Sequence, residues 1–253
     1  MNDKYKLAER DYIYGRNPVT EAVESGRSID RLYIQEHLGG AALSRIKNLA
    51  KERGIRYVLV SRQKLDSMTG GANHQGVAAA AAAHAYVSVE EILSNAEKAG
   101  RQPLVVICDG ITDPHNLGSV LRTANAAGAD GVIIPKNRSA ALNSTVAKVS
   151  AGAVEYTPVA RVSNIAGVID KLKKSGMWIV GTDLGGTMTH YDCDLKGSIG
   201  IVIGSEGSGM SRIVREACDF LVKIPMLGEI ESLNVSVAAG VLLYEAVRQR
   251  GGV

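Results

Sequence analysis

The sequence is short of the residues that mark several protein classes. It has three cysteines, Cys108, Cys193 and Cys218, far apart and in no CxxC pair. That excludes a disulfide framework or a thiolate metal cluster and fits a reducing compartment, hence the cytosol. Aromatic residues make up 4% of the chain, with one tryptophan and one phenylalanine. Long apolar runs are missing. The longest weakly polar stretch, Val77 to Val87, is interrupted by His84 and too short to span a bilayer, so no membrane association is expected. The opening segment MNDKYKLAER has no apolar core and does not read as a signal peptide. No glycine run leads into GKS or GKT, so there is no P-loop. No metal-ligand constellation stands out.

What is present is ordinary globular composition over 253 residues, 45% hydrophobic and 22% charged. Charge is divided unevenly. Residues 1–87 carry 13 basic and 9 acidic residues, whereas 88–253 carry 16 and 17. The basic excess in the first part permits contact with phosphates. We place a domain boundary near residue 88, giving domains at 1–87 and 88–253.

The first part reads as a small α/β unit. Asn17-Pro18 opens a short helix to Val23, Arg31–Gln35 is a strand, and Ala41–Arg53 has helical spacing that stops at Gly54. Tyr57–Val60 is a short strand, and Thr69–Gly76 is a glycine-rich loop. The alanine run that follows favours helix by propensity, but its valine start and tyrosine-valine end favour a strand.

From Ser88, the cap of a helix with Glu91 in the capping-box position, strands and helices alternate. Expected strands are Leu104–Asp109, Gly131–Pro135, Tyr156–Ala160, Met177–Asp183, Ile199–Gly207 (running into a glycine turn) and Phe220–Met226. Expected helices are Leu117–Ala127, Asn143–Ser150, Ser163–Ser175, Met210–Ala217 and Asn234–Arg250. This is the signature of an α/β domain with a mainly parallel sheet.

Ligands of such sheets sit beyond the carboxyl ends of the strands. Three loops there carry chemistry. In Asp109–Gly128, Asn116 is placed to cap a helix, with Arg122 turned away from the apolar stripe on the side of Gly118, which would allow close approach of a ligand. In Gly204–Met210 the glycines fall in GxxGxG order, and Glu206 would repel a pyrophosphate. This glycine order argues against a nicotinamide-dependent dehydrogenase. A ligand that is uncharged or cationic, met by backbone groups and one carboxylate, suits this loop. In Pro225–Gly240, Ser232 and Asn234 precede a helix apolar almost all round, a pattern that packs on a partner subunit.

The three motifs NLGSVLR, IGSEGSGM and SLNVSVAAG, in this order over residues 104–250, resemble the SpoU/TrmH branch of the SPOUT RNA ribose 2′-O-methyltransferases. YGRNPVTEAV followed by NHQGVAA is similar to the ribosomal-protein-like substrate-binding domain of the RlmB-type members, which methylate a guanosine ribose in the peptidyl-transferase P-loop of 23S rRNA. The resemblance makes Val77–Ala83 a strand. It implies a deep trefoil knot, a topology that general connection rules disfavour, and a homodimer packed partly through the C-terminal helix. It implies S-adenosylmethionine as cofactor, beside Thr182, Gly204, Ile224, Met226, Ser232 and Leu233. It implies catalytic roles for Arg122, Asn116, Glu206, Ser232 and Asn234, with large-subunit rRNA as partner. Arg16, Arg62, His74 and Gln75 are the expected RNA contacts. A tRNA ribose methyltransferase and a non-catalytic ribosome-assembly factor are the competing readings.

Overall fold

The computed structural model describes residues 12–81 and 84–251. The opening decapeptide and the end of the expected strand, Ala82 and Ala83, lie outside the described residues. The chain divides into two units. One comprises residues up to 85 together with 141–144, and the other comprises 86–140 and 145 onward.

In the first unit, β1 (Tyr12–Tyr14), α1 (Arg16–Glu24), β2 (Ile29–Gln35), α2 (Ala41–Glu52), β3 (Tyr57–Val60), α3 (Arg62–Thr69) and β4 (Val77–Ala81) follow in order. The sheet order is β1-β4-β2-β3, with β4 antiparallel to both neighbours and β3 parallel to β2. The alanine run is therefore a central strand. Both faces of it are covered. Val77 and Ala79 pack with Val19, Leu43 and Ile46, and Ala78 and Ala80 pack under Tyr33, Leu65 and Met68. Small side chains leave room for large ones above them, and this tertiary fit outweighs alanine's helix propensity. Helix α3 was not expected from the sequence. Ser61 caps it by accepting the Lys64 N–H at 3.3 Å, and Gly70 ends it in the left-handed conformation at φ 64°.

The second unit runs α4 (Val89–Lys98), β5 (Leu104–Cys108), α5 (Pro114–Ala126), β6 (Gly131–Pro135), α6 (Ser144–Val149), β7 (Val159–Val162), α7 (Ile165–Lys174), β8 (Trp178–Thr182), β9 (Met188–Thr189), β10 (Ile199–Ile203), α8 (Arg212–Ala217), β11 (Phe220–Lys223) and α9 (Val235–Gln249). The sheet order is β7-β6-β5-β10-β8-β11-β9, and all pairings are parallel. Strands β5, β6 and β10 are buried at every residue, which is why LVVIC, GVIIP and IGIVI read as continuous apolar runs. Ile92, Ile107, Ile133, Ile169, Leu172, Ile179 and Val202 form one core. Helix α9 packs on α5 and on β10.

Two sequence expectations shift. The strand expected at Tyr156–Ala160 lies at Val159–Val162, because Ala153–Glu155 forms a short 3-10 turn and Tyr156 follows it. The helix after β5 begins a turn early. Asp113, not Asn116, is its cap. Asp113 is held extended by the following proline, and its side chain accepts the His115 N–H at 2.9 Å, with Pro114 at the first helical position.

Candidate active site

Parallel strands share one carboxyl edge, so the loops after β5, β8, β10 and β11 emerge together. The earlier start of α5 decides the fate of Asn116. Relieved of capping, it sits in the first turn, buried. Its Nδ2 donates to Glu206 Oε2 at 3.0 Å, and its Oδ1 accepts from Asn234 Nδ2 at 2.9 Å. Asn234 does cap α9, accepting the Ser236 N–H at 2.9 Å and the Ser236 hydroxyl at 2.6 Å through Oδ1. Capping and bridging use opposite ends of one amide. The hydrogen bonds run in one direction, from Ser236 through Asn234 and Asn116 to the Glu206 carboxylate. One residue from each motif thus joins a single relay, and Ser236, unremarked in the sequence, fixes its polarity.

The loop after β10 is folded tightly enough to hold Glu206 out. Ser205 and Gly209 exchange backbone hydrogen bonds at 2.9 and 3.0 Å. A side chain at Gly204 would collide with the backbone of Gly209 and Met210. Asp109, also missed in the sequence, ties the loop to β5 by accepting the Ser211 N–H at 2.7 Å. After β8, Asp183 accepts the Gly185 N–H at 2.8 Å and Arg215 Nε at 2.7 Å. That partnership raises the Arg215 pKa further above its usual range.

Arg122 is exposed on α5 and has no part in the relay. It lies roughly 120° around the helix from Asn116 and about 9 Å along it. Gly118 does not face a ligand. A Cβ there would lie 2.8 Å from Val149 Cβ, so this glycine admits α6. The sequence could not distinguish these uses, because both ask for a small residue.

The expected cofactor neighbours lie on these loops. Thr182 ends β8 and donates its hydroxyl to the Val202 carbonyl at 3.3 Å. Gly204 follows β10, and Ile224 and Met226 follow β11 half-buried. Ser232 and Leu233 are exposed. Among the described residues, no backbone hydrogen bond is made by residues 225–233. Their C=O groups, and their N–H groups except at Pro225, have no backbone partner and would suit an adenine edge and an amino-acid moiety, and the Glu206 carboxylate would suit a cation. This donor set fits S-adenosylmethionine and offers no phosphate site. No group of three or more His, Cys, Asp or Glu among the described residues is placed to hold a metal ion.

In the first unit, Arg16, Arg62, His74 and Gln75 line one groove of about 800 Å³, with Gln35, Asp66 and Asn73. Gln75 holds Arg16 twice, its Oε1 accepting the Arg16 N–H at 3.1 Å and its carbonyl accepting Arg16 Nε at 3.2 Å. His74 is buried. Its Nδ1 accepts the Gly76 N–H at 3.0 Å, which leaves Nε2 to donate to Asp66 at 3.0 Å. His74 therefore shapes the groove by holding its loop.

An α/β chain with motif-bearing loops at the carboxyl edge of a parallel sheet and a groove on a separate small unit has the outline of an enzyme with a second binding unit, an outline that many activities share. The comparisons give the family. Residues 103–244 match the SpoU rRNA Methylase family, and residues 12–87 match the RNA 2′-O ribose methyltransferase substrate binding family. The chain is 45% identical to YacO of Bacillus subtilis (strain 168), a candidate TrmH family tRNA/rRNA methyltransferase, over 97% of this chain and 98% of that one. Among solved structures, it resembles the SpoU methyltransferase AviRb from Streptomyces viridochromogenes in complex with the cofactor AdoMet. That match has TM-score 0.60, 28% identity, and covers 99% of this chain and 94% of that chain. It also resembles an AdoMet-bound rRNA methyltransferase from Sinorhizobium meliloti, with TM-score 0.59 and 25% identity over 94% of this chain and 86% of that chain. This chain belongs to the SpoU methyltransferase family, as the three motifs and the NHQGV segment implied.

Proposed function

We propose that this protein methylates the 2′-hydroxyl of a guanosine ribose in the peptidyl-transferase P-loop of 23S rRNA, with S-adenosylmethionine as donor. The observation that carries the reading is the relay from Ser236 through Asn234 and Asn116 to Glu206, which unites all three motifs at the carboxyl edge of the sheet. Residues 1–87 would bind the RNA and 88–253 would carry the chemistry, with the trefoil knot of the family. The likeness to an rRNA methyltransferase over 94% of the chain favours rRNA over tRNA as substrate. The homodimer reading draws support from α9, which exposes Val237 and Tyr244 at 51% and 52%, seven residues apart on one side of the helix. Among the described residues no helix is long and apolar enough to cross a membrane. The cytosol is the compartment proposed.

When bound, the cofactor supplies an electrophilic methyl group on a cationic sulfonium. Thr182, Gly204, Ile224, Met226, Ser232 and Leu233 would hold it. The protein's task is then to place the ribose oxygen and to manage its proton. Glu206 has one oxygen engaged by Asn116. Its other oxygen accepts the ribose hydroxyl, orienting it and drawing its proton as the oxygen gains carbon. Arg122 is permanently cationic and accepts nothing, so it acts as an electrostatic partner for the developing alkoxide or the neighbouring phosphate. Ser232 lies in the third loop and would order it against the cofactor.

The test uses purified protein, methyl-labelled S-adenosylmethionine and separate 23S rRNA and tRNA transcripts. Label in the rRNA at a P-loop guanosine is expected. Label in tRNA alone would move the substrate to tRNA. Cofactor binding with no label in either transcript would favour the assembly-factor reading. Arg122→Ala should lose turnover while still binding cofactor, and weakened cofactor binding as its main defect would refute the role given to it.

A further inference from the structure

Among the described residues, the N-terminal sheet ends in a strand with no partner on its outer side. β3 is the edge of its sheet and pairs on one side only, with β2 from Leu32↔Tyr57 to Gln35↔Val60. Successive strand residues face opposite sides. Tyr57, Val58 and Leu59 are nevertheless 43%, 41% and 51% exposed, so the strand is bare on both faces. Exposed apolar edges are usually covered or avoided, and a persistent one marks a docking surface.

The charge around this edge indicates what docks. Residues 51–64 hold Lys51, Arg53, Arg56, Arg62 and Lys64 against one acid, Glu52. The Leu32 N–H donates to the Arg56 carbonyl at 2.9 Å, which sets Arg31 beside Arg56 across the strands. Like charges in that relation destabilise a sheet. Among the described residues, neither arginine has an ion pair. Both unneutralised guanidiniums lie on one face of the sheet edge, and the exposed Tyr57 ring lies on the other. A second copy of β3 would bring the same positive flanks against one another, so self-pairing is disfavoured. A polyanion with flat faces answers both features: phosphates for the arginines and a base for the ring.

We propose that β3 and its basic flanks form a docking strip for single-stranded RNA, continuous with the groove of the same unit. The RNA strand straddles the edge: Tyr57 stacks a base on one face, and Arg31 and Arg56 hold phosphates on the other. The strand delivers the chain to Gln35, opposite Val60, and to Arg62, which both line the groove. Target choice then depends on unpaired nucleotides flanking the methylated one. The inference rests on the RNA-binding reading proposed above.

The experiment measures binding of a 23S rRNA P-loop transcript to the full chain across a salt series. Wild type is compared with R31A/R56A, Tyr57→Ala and Tyr57→Phe. R31A/R56A should weaken binding at least tenfold at low salt and lower the log–log salt slope by about 1.4, the release expected for two single-strand phosphates. Tyr57→Ala should cost about tenfold in affinity while Tyr57→Phe stays near wild type, as stacking requires. Melting temperatures within a few degrees of wild type should accompany these changes, since all three side chains are exposed. Variants that bind with wild-type affinity and slope would overturn the strip. Self-association that Leu59→Asp abolishes while RNA affinity is unchanged would also overturn it, assigning the edge to a second copy. If wild type itself binds no RNA, the functional reading fails first, and the strip with it.

Discussion

The two ligand loops of this chain are built in opposite ways. The loop that shapes the groove of the first unit is spent on itself. His74 has both ring nitrogens engaged, and Gln75 grips Arg16 with side chain and backbone. The loop after β11 makes no backbone hydrogen bond over residues 225–233 among the described residues, and it leaves Leu227 98% exposed. The first loop presents a finished surface, which suits a large ligand recognised by shape and charge. The second leaves its backbone polar groups without backbone partners, which suits the small-ligand role proposed for it. The relay, anchored on helices α5 and α9, holds Glu206 in place within the second unit.

The largest expected effect is at the relay. Asn116→Ala should lower kcat/KM by about 100-fold or more, the usual cost of removing a preorganised hydrogen-bond donor. RNA affinity should stay within twofold. Equal losses of RNA affinity and turnover would erase the separation between the two regions. Next comes the cofactor. S-adenosylmethionine at 100 times its Kd should stabilise the fold by about 2.7 kcal/mol. Amide exchange should slow at residues 225–233 and stay unchanged at 71–76. Protection spread evenly over both loops would break the comparison.

His74→Ala should be smaller and confined to the first unit. It leaves the Gly76 N–H and one Asp66 bond unmade, a loss of about 1–3 kcal/mol of stability. RNA binding should weaken and cofactor binding should not. The smallest effect is one of pH. Hydrogen bonding from Arg248 holds the Glu245 carboxyl at about 2, well below its ordinary value of 4.5. A carboxyl lowered on folding stabilises the protein above its unfolded pKa and loses that contribution as the pH falls through the folded one. Wild type should therefore lose stability between about pH 4.5 and 2, and Glu245→Gln should show a shallower slope in acid melts. By contrast, burial pushes the Cys108 thiol up to about 12, so it should resist alkylation at neutral pH.

The parallel sheet was legible because β5, β6 and β10 are buried on both faces and therefore carry unbroken apolar runs. The motif loops were legible because their glycines and polar residues depart from that pattern. The meeting of Asn116, Glu206 and Asn234 was not legible, since residues separated by 90 and 118 positions share no local signal. The cap of α5 was misplaced because Asp113 and Asn116 are both good capping residues, and only Pro114 decides between them. Helix α3 escaped notice because RQKLDSMT shows two inward residues, Leu65 and Met68, too few for a clear period. The alanine strand needed the resemblance, as its own propensity points to helix and only the packing of Tyr33 and Leu65 explains it.

The central claim is methyl transfer to a ribose oxygen, and alkaline hydrolysis of the labelled product tests it most directly. A 2′-O-methyl group blocks cleavage at its own phosphodiester. The account predicts that label survives hydrolysis in a dinucleotide, and that Asn116→Ala yields about 100-fold less of it at matched enzyme concentration. Label released as a mononucleotide would place the methyl group on a base and contradict it.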